Sequence, residues 1–252
     1  FAGATGAHKT LTVGVMSYDS LCKNHVHAMS PEAKGLVLEG NPVFDKIAGV
    51  VTLLTSGGRR VFAINEIFAK ERLVGCTAGT PLDALNQGLP LVRRIFSHRL
   101  SRAADLIIAR VSPPLDKSLY QADKGIKNVE NAVRDGGVIL LDAPCHEGVG
   151  IDRFMKLLEN APDHERAVAL VNREGYRLGD HKAVRLRALT HRRGVRLGVV
   201  STHLSETDAR TAGLELHTDR GAAARWATAL LGTGARSAVL VEDAGNTTLG
   251  TC

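Results

Sequence analysis

Apolar and polar positions follow two periods along this chain. Val61–Phe68, Leu73–Cys76, Leu106–Val111, Val138–Asp142, Arg196–Ser201 and Ala238–Glu242 are short runs rich in β-formers. Their length and composition predict strands. Between them the apolar spacing lengthens to three and four. Leu82, Leu85, Leu89, Val92, Phe96 and Leu100 trace one helical stripe, opened by Thr80-Pro81 as N-cap and first helical residue. Leu119, Ala122, Ile126, Val129 and Val133 trace another, over Leu119–Arg134, stopped by Asp135-Gly136-Gly137. Strand, helix and strand over Leu106–Asp142 form a βαβ unit, expected in a parallel sheet. A second unit runs from a helix at Asp180–Thr190, past Gly194, into Arg196–Ser201. Val61–Phe68 and Leu73–Cys76 read as a hairpin joined by Ala69-Lys70-Glu71-Arg72.

The expected fold class is therefore α/β, two domains with mixed or parallel sheets flanked by helices. Residues 1–88 are read as the remainder of a first domain, incomplete at its N-terminus, and 89–101 as a connecting helix. Residues 102–228 form the second domain, and 229–252 a linker and strand returning to the first. At 252 residues the chain is long enough to bury a real core. No apolar run reaches the ~18 residues of a membrane span. The cysteines, Cys22, Cys76, Cys145 and Cys252, form no C-x-x-C pair and no disulfide framework, so a reducing cytoplasm is expected.

The net charge is +6, and much of the excess sits in Arg185, Arg187, His191, Arg192, Arg193 and Arg196. No aromatic residue interleaves with them, as single-strand binding would want. The cluster reads as a solvated basic helix end, and no nucleic-acid partner is expected.

Candidate chemistry begins with Phe1-Ala2-Gly3-Ala4-Thr5-Gly6-Ala7-His8-Lys9, a small-residue loop ending on a lysine. Such a loop lets a bulky ligand approach the backbone. Its G-x-x-G-x-x-K-T spacing is not that of a P-loop, so an ordinary ATPase is not expected, and on spacing alone the loop reads as a tight turn with a solvated lysine. Cys22, His25 and His27 have zinc-like spacing. On a helix, however, Cys22 and His25 share a face that His27 does not. Two readings stand: a polar helix surface, or a single imidazole serving a metal held mostly by something else. Gln121 and Lys124, at i and i+3, share the helix face opposite the Leu119/Ile126/Val133 stripe. They follow a strand end, where α/β sheets place ligands. They read as a grip for a carboxylate and a carbonyl, or as solvated surface. Cys145-His146 also follows a strand end, but adjacent residues seldom orient one another as a nucleophile and its base.

Taken together, four segments resemble the nickel-dependent lactate racemase family. Phe1–Lys9 looks like its F-A-G-x-S-G-G-x-K loop, and Asn24-His25 like its N-H pair. Gly40-Asn41-Pro42, followed by a helix and a strand with Asn65, is similar to its G-N-P segment. Leu119-Tyr120-Gln121-Ala122-Asp123-Lys124-Gly125 with Gly136-Gly137-Val138-Ile139 looks like its L-Y-Q-x-x-K-G helix and G-G-V-I strand. The resemblance implies a nickel-pincer nucleotide joined through Lys9, with His25 as the protein's nickel ligand and Gln121 and Lys124 binding substrate. It implies racemisation or epimerisation of a small anionic 2-hydroxy acid by hydride transfer, and cofactor biosynthesis proteins as partners. The family's two acid/base histidines lie upstream, one just ahead of the position of Phe1. On that reading residues 1–252 are a fragment, inactive alone.

Thr5-Gly6-Ala7 departs from S-G-G. The family's substrate-bordering Gln-Trp pair is also absent, for the comparable stretch is Leu178-Gly179-Asp180-His181-Lys182-Ala183 and the sole tryptophan is Trp226. His181 and Lys182 there suggest a pocket for a larger, more polar acid than lactate, against the plain reading of a solvated helix start. The rival from another class is a non-catalytic α/β module that grips an anion through Gly3–Lys9 and Lys124.

Overall fold

The computed structural model describes residues 4–232 and 236–252. The Phe1–Gly3 end of the glycine loop and most of the expected Gly232–Gly234 turn lie outside the described residues. The chain divides into compact units 1–97 and 98–252.

The first unit opens with a short helix, α1 (Ala7–Thr10), and α2 (Tyr18–His25), followed by a 3-10 turn over Val26–Met29. Next comes α3 (Pro42–Thr55), whose start shows why Gly40-Asn41-Pro42 belongs together. Gly40 takes a φ of 69°, accessible to glycine without strain. Asn41 is fully buried; its carbonyl oxygen accepts from the Val43 and Phe44 N–H groups, and its amide donates to the carbonyls of Lys34 and Val37. Pro42 occupies the first turn, where no N–H is needed. Asn24 donates to the Val43 carbonyl, which ties α2 to that cap. The hairpin forms as expected from β1 (Ala63–Ala69) and β2 (Arg72–Gly79), antiparallel. One face covers α4 (Pro81–Phe96), whose N-cap is Thr80, accepting from the Asp83 N–H. Residues 89–96 therefore belong to the first unit rather than to a separate connector.

The stripe predicted through Leu100 is cut at Phe96. Residues Ser97–Leu100 form β3 instead, beside β9 (Thr248–Thr251), with the Cys252 N–H donating to the Leu100 carbonyl. A partner strand far away in sequence offers ladder bonds that outweigh a continuing 3.6-residue pattern.

The second unit carries, in chain order, β4 (Ala104–Arg110), α5 (Leu119–Val129), β5 (Val133–Asp142), α6 (Asp152–Asn160), α7 (His164–Glu174), α8 (Asp180–Arg187), β6 (Arg196–Val200), α9 (Glu206–Ala212), β7 (Leu214–His217), α10 (Arg220–Leu231) and β8 (Ala238–Val241). Among the described residues these strands form a five-stranded sheet in the order β7-β6-β5-β4-β8, each pair parallel. Strand β8 thus pairs with β4 in this unit; it does not return to the first. The chain steps outward from β4 to β7, then crosses to the other side of β4. The junction of β4 and β8 is a topological switch point, whose carboxyl-end crevice is the usual ligand site of such sheets.

The core follows the apolar runs. Ile107, Ala109, Ile139 and Leu141 are fully buried, as expected for strands covered on both faces. Trp226 packs from α10 against Gly198, where an added Cβ would lie 2.7 Å from the indole. No described helix is long and apolar enough to cross a membrane.

The basic cluster is only in part a solvated helix end: His191, Arg192 and Arg196 are exposed, but others are not. Arg187 is buried and donates to the carbonyls of Leu158, Ala161 and Thr211. Arg193 ties Asp135 and the carbonyls of Glu130 and Val133, while Arg192 pairs with Glu165. These cations serve as cross-links between elements. A helix pattern cannot reveal that, because the partners come from other segments.

Candidate functional site

In the first unit, Lys9 and His25 lie on α1 and α2. Gly6, immediately before α1, admits no side chain, because a Cβ would sit 2.7 Å from Asn65 Oδ1. That oxygen accepts the Ala7 N–H at 3.0 Å, so Asn65 on β1 anchors the end of the glycine loop. Lys9 follows two residues later, partly exposed.

His25 is 8% exposed, and its Nδ1 lies 3.0 Å from the Leu21 carbonyl oxygen. A carbonyl only accepts, so Nδ1 carries the proton and Nε2 the lone pair. Burial lowers its pKa to about 4, against the Leu21 hydrogen bond, which raises it, and with the Lys9 charge lowering it further. The ring is neutral at pH 7. A neutral imidazole oriented through its other nitrogen is the form that ligates metals, so His25 fits a nickel-bearing group. His27 sits on the 3-10 turn, off the α2 face of Cys22 and His25. Among the described residues no group of three or more His, Cys, Asp or Glu converges as a metal site.

His8 was not singled out by the sequence. It is 1% exposed, edge-on to Phe44 at 6.1 Å between centroids, with no partner for Nδ1 among the described residues. Burial, aided by the Lys9 charge, lowers its pKa from 6.5 to about 4. The unfolded chain therefore takes up a proton where the folded one resists it. This part of the stability is complete above about pH 6.5 and drains as pH falls towards 4. In urea titrations across that window, His8→Phe is expected to flatten the decline; an unchanged slope would show that His8 does not drive it.

In the second unit, α5 presents three faces. Leu119, Ala122, Ile126 and Val129 cover the sheet, all buried. Gly125 brings the helix close to the switch point, for a Cβ there would meet Val111 at 2.5 Å and Ala244 at 3.5 Å. A second face, Tyr120, Asp123 and Glu130, meets α8. The third carries Gln121, Lys124 and Asn128. Lys124 Nζ donates to Gln121 Oε1 at 2.9 Å, so the two side chains meet as the i, i+3 spacing predicts. Asn128 donates to the carbonyls of Ala244 and Gly245, just past β8. The Gln121–Lys124 pair thus stands on the face of α5 that borders the carboxyl end of β8. Burial lowers the Lys124 pKa, with Asp123 opposing it. An ammonium has three donors, so the Gln121 bond leaves capacity for an anionic oxygen.

One expectation fails, that of a polar pocket edge at His181 and Lys182. Lys182 does not edge a pocket: it is buried, 3.5 Å from Asp123 Oδ2, and donates to the Tyr120 carbonyl. His181 Nδ1 is engaged by the Tyr176 hydroxyl at 2.6 Å, with the rings stacked. The argument for a larger, more polar acid therefore loses its Lys182 donor. Cys145 is fully buried and burial pushes its pKa up to about 12, whereas His146 is exposed; they form no nucleophile pair.

Residues 100–177 match the family described as lactate racemase C-terminal domain. Lactate racemase from Thermoanaerobacterium thermosaccharolyticum is 28% identical over 166 residues, 65% of this chain and 38% of that protein. The lactate racemase of Lactiplantibacillus plantarum is 27% identical with the same coverage. The aligned stretch is thus well under half of either relative. The apoprotein structure of the Thermoanaerobacterium lactate racemase superposes with a TM-score of 0.86 at 23% identity, covering 99% of this chain and 60% of that one. A Thermotoga maritima protein superposes with a TM-score of 0.73 at 12% identity, covering 100% and 64%. At these identities the superpositions show the shared fold.

Proposed function

We propose that this chain, whose residues 100–177 match the family described as lactate racemase C-terminal domain, is part of a racemase or epimerase acting on a 2-hydroxy acid. The observation that carries this reading is the Gln121–Lys124 pair, inside the matched segment and beside the switch point. Lys124 holds the substrate carboxylate by a charge-assisted hydrogen bond, and the Gln121 amide orients a neighbouring oxygen. Lys9 would carry a nickel-pincer nucleotide, and His25, with its Nε2 lone pair, would hold the nickel. The group, when bound, supplies reversible hydride acceptance at the substrate α-carbon. The Leu21 carbonyl keeps the His25 tautomer in register, and Asn65 holds the loop that presents Lys9.

The test is intact-mass and metal analysis of the protein made together with the cofactor biosynthesis proteins. A covalent adduct and bound nickel are expected. Lys9→Ala should lose the adduct and His25→Ala the nickel, while His27→Ala keeps both. An unchanged adduct in Lys9→Ala, or nickel lost only from His27→Ala, would refute these assignments. No adduct and no nickel, with lactate still bound, would favour the anion-binding module.

A further inference from the structure

The turn of α5 that carries Gln121 and Lys124 is held from behind by a side chain that the proposed reaction does not use. Lys182, on the first turn of α8, donates to the Tyr120 carbonyl and lies 3.5 Å from Asp123 Oδ2. Those two anchor points are the residues immediately before Gln121 and Lys124. The ammonium also stands 4.2 Å from the centroid of the Tyr120 ring, which is itself set edge-on to Phe154 at 5.8 Å. Gly179, at a φ of 108°, brings the start of α8 to this place; a Cβ there would be 3.4 Å from the Tyr120 ring.

An ammonium is a poor choice if packing alone is wanted. Lys182 is 8% exposed, and a buried charge forfeits its hydration. An unbranched apolar side chain would fill the same space against Tyr120 without that cost. Burial lowers the pKa of Lys182 to about 8, with Asp123 raising it, so the charge persists at neutral pH. What the ammonium does that an apolar side chain does not is join a carbonyl and a carboxylate three residues apart on one helix turn.

We propose that Lys182 is a positioning residue: by holding the Tyr120 carbonyl and the Asp123 carboxylate together, it fixes the turn of α5 that presents Gln121 and Lys124 to an anionic substrate. The functional half of this proposal rests on the reading of those two residues as substrate-binding; the structural half does not.

The experiment compares wild type, Lys182→Met, Lys124→Ala and the double variant in the intact, cofactor-loaded protein. Amide hydrogen exchange is followed at residues 122–125 and, as a reference, at 139–141 in β5. Lys182→Met is expected to speed exchange about tenfold or more at 122–125 and to leave β5 unchanged. With lactate as substrate it should raise KM roughly five- to tenfold, and less than about twofold once Lys124 is already alanine. Unchanged exchange at 122–125 overturns the proposal, as do additive effects on KM, because a residue acting through Lys124 cannot be additive with its loss. If Lys124→Ala alone leaves KM unchanged, the substrate reading fails, while the exchange measurement still decides whether Lys182 fixes the turn. Should Lys182→Met not fold, Lys182→Gln, which keeps the unbranched stem but loses the charge facing Asp123, carries the same two measurements with the same expected directions.

Discussion

Arg185→Met is expected to destabilise the second unit by about 3–5 kcal/mol, the usual cost of breaking a buried ion pair from one side. Arg185 bridges an acid of α5 and the acid just past its end: its guanidinium pairs with Asp123 through Nη2 and with Glu130 through Nη1. Side-chain exposure is 15% for Arg185, 2% for Asp123 and 15% for Glu130, so water offers the survivors little. Burial raises the Asp123 pKa, yet Arg185 and then Lys182 more than reverse this, and the carboxylate is held below its ordinary range. Without Arg185, Glu130 loses its partner and Asp123 keeps only the more distant Lys182. Met matches the packing volume but not the charge. For a unit of this size the loss corresponds to a fall in Tm of roughly 6–20 °C. Thermal and urea unfolding at neutral pH check it; a change below about 1 kcal/mol would mean that the network behaves like exposed ion pairs.

Lys124→Ala should separate catalysis from folding. Lys124 is exposed, and its ammonium donates to Gln121 Oε1. Stability is expected to move by no more than ~0.5 kcal/mol. Turnover of the 2-hydroxy acid should nevertheless fall. A carboxylate deprived of a charge-assisted hydrogen bond loses roughly 1.5–3 kcal/mol, which is on the order of a tenfold to hundredfold drop in kcat/KM. Lys124→Arg restores the charge but not the position, because a planar guanidinium reaches further, so it should recover activity only in part. Normal kcat/KM in Lys124→Ala would reduce the pair to solvated surface.

Much of the architecture was legible from local pattern. The hairpin, the Thr80 cap, the βαβ unit and the shared face of Gln121 and Lys124 depend on residues within about four positions or on one period. Local sterics and the need to bury one face determine such features. The glycine loop, Asn24-His25 and Gly40-Asn41-Pro42 were likewise visible as motifs. What Asn65 and Asn41 do was not, since each answers backbone groups whose positions only the fold supplies.

Where pattern and structure part, a partner distant in sequence is the cause. Ser97–Leu100 leave the helical stripe because β9 lies beside them. Strand β8 joins β4, and no spacing within residues 229–252 encodes that choice. Arg187, Arg193 and Lys182 looked like solvated cations because basic side chains usually are. The faint signal was the i, i+3 spacing of Lys182 and Arg185 on one helix, matched by Asp123 on another and Glu130, seven residues on, just past its end. By itself, then, the sequence determined the elements with a clear local period, the α/β class and the face that Gln121 and Lys124 share. The tertiary structure alone decided strand order, the switch point beside which that face stands, and which charges are buried cross-links. Periodicity acts through neighbours along the chain, whereas pairing and desolvation depend on what the folded chain brings alongside.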